Sequence, residues 1–415
     1  MRANSDYILV IGCFDTKGEV FAYLRSCLLA QGERVITINT GVLGTTKLFP
    51  VDHEAEQVST AAGISLADLR QKQDRGYAVE IMSKGAAKIV ADLVAAGGLK
   101  AAIGMGGGGG TYLAIAAMQA VPLGVPKLCL STLAAKDLSR QLGSKDVTLM
   151  PSVVDVAGLN SISKLLIKQA AAAICAMANV PVVQENASAG RIAVSMFGNT
   201  TACVDKCTEL LQQQGYEVFA FHATGTGGRT MESLIRENLF VGILDITTTE
   251  LADELCGGIL SAGPDRVNAA AEMGIPQVVV PGCLDMVNFA QLDTVPELYK
   301  SRQLYSWAPD VTLMRTNARE NKKLGEMLAQ KVNRSEGAAA ILLPLKGISQ
   351  IDAAGGVFYQ PETDQALFQA IKEQAQEKTP VLEIDAHIND TMFAEKAVNT
   401  LLDLIKKKAA STNLE

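Results

Sequence analysis

Four segments recur in the same order in the two halves of this chain, and that repetition limits what it can fold into. The first half opens with Ile8-Leu-Val-Ile-Gly-Cys-Phe14 and a helix ending near Gln31-Gly32. Arg34-Val-Ile-Thr-Ile-Asn39 and Thr40-Gly41 follow. The second half opens with Ile192-Ala-Val-Ser-Met-Phe197 and a helix ending at Gln214-Gly215, then Glu217-Val-Phe-Ala-Phe-His222 and Thr224-Gly225. Later, Gly124-Val-Pro-Lys-Leu-Cys-Leu-Ser131 corresponds to Gly274-Ile-Pro-Gln-Val-Val-Val-Pro281, and Asp146-Val-Thr-Leu-Met150 returns unchanged as Asp310-Val-Thr-Leu-Met314. Each half alternates short apolar runs with helical stretches, the pattern of a parallel sheet covered by helices. The expected fold class is α/β: two tandem Rossmann-like domains, each a mostly parallel sheet flanked by helices, related by internal duplication. A chain of 415 residues suits two such domains. The expected division is 1–184 and 185–415, with Gln184-Glu-Asn-Ala-Ser-Ala-Gly190 as a linker.

Right-handed crossovers put the C-terminal ends of parallel strands on one edge, where ligands sit at the point of strand-order reversal. Two such domains facing each other would line a cleft with loops from both. The most informative loop is the run Gly106, Gly107, Gly108, Gly109 and Gly110. It follows the apolar strand candidate Ala101–Met105 and leads into the helical stretch Thr111–Met118. A glycine turn opening a helix aims backbone N–H groups and the positive end of the helix dipole at one spot, which suits a phosphate or another anion. The standard nucleotide signatures do not fit. No Asp or Glu lies between Gly110 and Lys136 to bind a ribose, and no Lys follows the last glycine as in a Walker A loop.

The other strand ends supply further candidates. After the first strand come Asp15, Thr16 and Lys17: a lysine suits phosphate and an aspartate suits a cation, while Thr16 equally suits a helix cap. Thr224, Gly225, Thr226, Gly227, Gly228 and Arg229 form a second glycine-rich turn, with an arginine whose fork grips phosphate or carboxylate. Ser131 and Thr132 add hydroxyls at another strand end. Catalytic residues are not assignable. The three histidines, His53, His222 and His387, show no metal-ligand spacing, and no Gly-x-Ser-x-Gly elbow occurs. Asp285, after Pro281-Gly282, is a candidate carboxylate.

Composition narrows the class. With 48% hydrophobic and 20% charged residues and a net charge of −7, the chain has no basic run beyond Lys406-Lys407-Lys408, so nucleic-acid partners are not expected. Asp6 runs straight into the strand Tyr7–Ile11 with no signal-peptide pattern, and Lys168 and Gln169 interrupt the most apolar helix, so no membrane span is expected. Eight cysteines in a chain this long fit reduced thiols in the cytoplasm.

Phe14-Asp15-Thr16-Lys17, Asp74-Arg75-Gly76 with Met82 and Gly85, Gly104–Thr111, Thr224–Arg229 and Asp385-x-x-Ile388-Asn389-Asp390 together resemble one family across nearly the whole chain. It is an uncharacterised protein family of bacteria, fungi and plants, typified by the N-terminal ATP-binding domain of the tomato mosaic virus resistance protein. The resemblance implies two Rossmann-like domains, a homodimer, and a nucleotide on Gly106–Thr111 and Thr224–Arg229. It does not carry over antiviral inhibition, which depends on a surface fitted to one viral protein. The expected function is nucleotide binding, with ATP favoured over another nucleotide and Mg2+ as a candidate companion ion. The alternative is an enzyme on a small phosphorylated or carboxylated metabolite in the same cleft.

Overall fold

The computed structural model describes residues 6–181 and 189–412, which fall into two compact units, Met1–Gln184 and Glu185–Glu415. Most of the expected linker lies outside the described residues. In the first unit, β1 (Tyr7–Gly12), β2 (Val35–Asn39), β3 (Leu99–Gly106), β4 (Lys127–Ser131) and β5 (Val147–Pro151) form one sheet in the order β2-β1-β3-β4-β5. Every neighbouring pair is parallel. Side chains alternate across a strand, so β1 feeds two cores. Ile8 and Val10 pack with Phe21, Leu24 and Ile174 on one face; Leu9 and Ile11 pack with Met82, Val90 and Leu113 on the other. A strand buried on both faces must read as a continuous apolar run, as this one does.

The chain leaves β1 outward to β2 and returns on its other side as β3, so strand order reverses between β1 and β3. That places the turns after these two strands at the ligand-binding crevice of a doubly wound sheet. Glycine brings the helix Gly108–Met118 close to β3. A methyl group on Gly104 would lie 2.5 Å from the Ala114 Cβ and 3.2 Å from the Ile11 carbonyl oxygen. The helix Ser161–Ala178 is long and apolar enough to cross a bilayer by length and composition. Its Ile167, Ala170, Ala171 and Ile174 are buried against the sheet.

The second unit contains β6 (Arg191–Met196), β7 (Glu217–His222), β8 (Gly242–Thr247), β9 (Gln277–Gly282), β10 (Met286–Phe289), β11 (Leu304–Ala308), β12 (Val311–Arg315), β13 (Ala339–Pro344) and β14 (Val381–Ile384). Its main sheet runs β14-β13-β9-β8-β6-β7, so β7-β6-β8-β9 repeats the order β2-β1-β3-β4. The duplication diverges at the shared pentapeptide. Val147–Pro151 is the parallel edge strand β5, whereas the second copy lies in β12, antiparallel between β10 and β11 in a separate sheet. The strand beside β9 is β13 instead. The terminal helix Thr391–Thr412 packs within its own unit, where Ala397 and Leu401 join Val204 and Leu211 in one core.

Overpacking a tight contact costs about 1–3 kcal/mol. Gly104→Ala should therefore destabilise the first unit by that order, measured as a lower urea midpoint for a probe within residues 6–181. An unchanged midpoint would show that β3 and the helix separate freely.

Candidate functional site

A cavity of about 1290 Å³ opens at the strand-order reversal of the first unit, lined wholly by residues between Cys13 and Asp155. The turns after all five strands of that sheet contribute, together with Asp74 and Arg75. Three helices, Phe14–Ala30, Arg75–Ala96 and Gly108–Met118, begin at its wall. Helix N-termini carry partial positive charge and unsatisfied N–H groups.

The β1 turn is held by Asn39, whose Oδ1 accepts from the Phe14 N–H (3.1 Å) and the Gly41 N–H (3.0 Å). Asp15 accepts the Leu43 N–H through Oδ2 at 2.8 Å, and a side chain on Gly41 would collide with that carboxylate. Lys17 leaves helical geometry (φ −130°, ψ 26°), and its Nζ donates to the Val156 carbonyl at 2.5 Å. Cys13 Sγ lies 3.5 Å from Thr40 Oγ1, and burial pushes its thiol pKa up, which disfavours the nucleophilic thiolate.

Gly107 caps the helix Gly108–Met118, and no side chain caps it in turn. None of Gly106–Gly110 has positive φ, so no residue of the run is glycine for backbone freedom. A methyl group on Gly106 would lie 2.7 Å from the Gly110 Cα; one on Gly108 would meet nothing within 4 Å. The first glycine closes the turn, and the third leaves its amide face open. One on Gly109 would lie 3.6 Å from Arg75 Nη2, so a guanidinium overhangs the turn. Among the described residues Arg75 has no ion-pair partner.

Asp15, Thr16, Lys17, Gly107–Gly110, Ser131 and Thr132 all line this cavity. Gly106 and Thr111 do not line it. Gly106 ends β3, and the Thr111 hydroxyl sits behind the turn, 2.6 Å from Ser131 Oγ and 3.2 Å from the Gly106 carbonyl. Arg75 and Asp155 are the residues that site reasoning on the loops missed; Arg75 belonged to a quoted motif, and Asp155 carried no local signal.

The second glycine turn departs from the expectation. The Gly225 and Gly228 N–H groups both donate to Glu250 Oε1, at 2.7 and 3.1 Å. Glu250 Oε2 receives Arg266 Nε at 2.5 Å, and Arg266 also pairs with Asp245 and Glu232, all of them buried. Arg229 donates to the Ser261 carbonyl and to Thr226 Oγ1. Thr224 Oγ1 donates to the His222 carbonyl, and Thr226 and Gly227 lie in the first turn of the helix Thr226–Arg236. This turn carries its anion as a side chain, and its arginine is spent on protein oxygens. Removing one partner of a buried pair costs about 3–5 kcal/mol. Glu250→Ala should lower the second unit's unfolding free energy by that order in urea titration, because Arg266 loses one of its three carboxylates and the Gly225 and Gly228 N–H groups lose their acceptor.

The histidines do not line the cavity. His222 packs against Phe197 at 5.6 Å, and His387 accepts the Asn389 N–H at Nδ1, so its Nε2 carries the proton toward the Ser349 carbonyl. Asp285 is buried with Asp352 and Asp364 around the Arg315 guanidinium. Burial, reinforced by the neighbouring carboxylates, pushes Asp352 up to about 9 and Asp285 up to about 6. Because these values exceed those of the unfolded chain, folding takes up protons; the stability is complete below about pH 4 and is lost as pH rises through the folded values. The second unit should therefore lose stability between about pH 4 and about 9. Asp352→Asn should flatten that loss in thermal melts across the range.

Residues 6–182 match the N-terminal domain of the uncharacterised protein family UPF0261, and residues 189–405 match its C-terminal domain. A UPF0261 protein of Clostridium tetani is 44% identical over 401 residues, covering 96% of this chain and 99% of the relative. One from Rhizobium meliloti is 42% identical, with 96% and 98% covered. The ToMV resistance protein Tm-1 of Solanum lycopersicum is 35% identical over 98% of this chain and 57% of its own length. Among solved structures, the glycosyltransferase VinC in complex with dTDP aligns over 98% of both chains at 11% identity, with a TM-score of 0.20. With both domain matches in sequence order and relatives of this identity along nearly its full length, the chain belongs to the UPF0261 family.

Proposed function

We propose that the first unit binds a nucleotide, ATP being favoured, with its phosphates over the Gly107–Gly110 turn. The observation that carries this is a helix start without a side-chain cap opening into the cavity at the strand-order reversal, beneath the Arg75 guanidinium, which has no ion-pair partner among the described residues. Backbone amides, a helix dipole and a guanidinium fork are three independent attractions for phosphate oxygens. Lys17 lies on the same wall and adds a positive charge, its Nζ donating to the Val156 carbonyl. The second turn has no part in this reading, since Glu250 occupies its amides. The family resemblance through the glycine motif supports the same ligand class.

A cavity of about 1290 Å³ exceeds the roughly 300–1,000 Å³ usual for one small ligand. That space favours a secondary reading, in which a small phosphorylated or carboxylated metabolite is processed beside the nucleotide.

Calorimetric titration of the full chain with ATP tests the proposal. Wild type should bind saturably, and Gly108→Asp should abolish binding by adding bulk and negative charge where space is open. Losing a hydrogen bond to a charged group costs about 1.5–3 kcal/mol, so Arg75→Ala should weaken binding roughly tenfold to a hundredfold. Arg229→Ala should leave affinity unchanged. Absence of saturable heat with wild type, or undiminished binding by Gly108→Asp, overturns the reading.

A further inference from the structure

The glycine turn has a charged neighbour on its other side. A methyl group on Gly107 would lie 3.8 Å from Thr132 Oγ1 and 3.9 Å from Asp155 Oδ1. Both residues line the cavity, Thr132 just after β4 and Asp155 in the segment after β5. A hydroxyl and a carboxylate from separate strand ends thus face the residue that begins the anion-binding helix. Asp155 has no ion-pair partner among the described residues. Lys17 Nζ donates instead to the carbonyl of the next residue, Val156. Arg75 overhangs Gly109, at the other end of the turn.

A bare carboxylate next to a phosphate site repels the ligand that the amides attract. A cation between them reverses the sign. We infer that Asp155 and Thr132 hold a divalent cation, Mg2+ by chemistry, against the phosphates of the bound nucleotide. This rests on the nucleotide reading above. Mg2+ is commonly held by one or two carboxylates plus substrate phosphates, keeping several waters, rather than by an all-protein cage. The described residues agree, since they contain no group of three or more His, Cys, Asp and Glu that could hold a metal unaided. The cation therefore arrives with the phosphate, and Arg75 and the metal flank it from opposite ends of the turn.

Calorimetry of the full chain with ATP, in EDTA and in excess Mg2+, separates the possibilities, with Mn2+ electron paramagnetic resonance as the direct readout of metal. Wild type should bind ATP about tenfold or more tightly with Mg2+, and Mn2+ should be immobilised only when ATP is present. Asp155→Asn should change the two conditions in opposite directions. Metal-free ATP should bind more tightly than to wild type because the repulsion is gone, and the gain from Mg2+ should vanish. The tighter metal-free binding also shows that the variant is folded. Thr132→Val should reduce the gain without affecting metal-free affinity. Equal wild-type affinity in EDTA and Mg2+, or a gain retained by Asp155→Asn, overturns the cation site while leaving nucleotide binding standing. No saturable binding in either condition overturns both.

Discussion

The first unit's site depends on a helix that starts on bare backbone. Gly107 caps the helix Gly108–Met118 without any side chain returning to cover the first turn, so those N–H groups keep their hydrogen-bonding capacity. Every other element of the site is arranged around that fact. Gly104 lets the helix settle against β3, Gly106 and Gly110 let the turn close on itself, and Thr111 with Ser131 ties it to β4. The sheet supplies the position, since its strand order reverses at the neighbouring β1. What remains is a helix start of open backbone N–H groups with room in front of it.

The second unit shows the alternative solution to the same problem. There a glycine turn also opens a helix, with Gly225 in the left-handed region at φ +81°, but Glu250 supplies the anion from within the chain. Burying that carboxylate requires a counter-charge, and Arg266 provides it while also satisfying Asp245 and Glu232. A glycine turn closed by its own carboxylate is a structural joint; one left without a cap has capacity for a ligand. The same division holds for buried acids. Asp285, Asp352 and Asp364 share Arg315 in the interior, whereas Asp155 stands at the cavity without an ion pair among the described residues.

Much of the fold was legible because parallel strands buried on both faces leave an unmistakable apolar record, as in β1, β9 and β13. Gly107–Gly110, Lys17 and Thr132 were legible as cavity residues because strand-end loops of a doubly wound sheet converge. Arg75 and Asp155 were not legible as a pair flanking one turn. They lie 80 residues apart, and nothing local in either segment records the proximity that the sheet creates. Glu250 was hidden in the same way, since its role comes from a turn 22 to 25 residues earlier that only the fold of the second unit brings alongside.

The pentapeptide Asp-Val-Thr-Leu-Met marks the boundary between the two kinds of information. Its β-branched and apolar residues determined that both copies would be extended, and both are. Whether extension became a parallel edge beside β4 or an antiparallel strand between β10 and β11 was decided by the segments available for pairing. Sequence alone thus determined the α/β class, the duplication and the glycine-rich turns, because each is written in local periodicity and residue type. Tertiary structure alone decided which turn stayed open, because that depends on whether a carboxylate from elsewhere in the chain reaches the amides first.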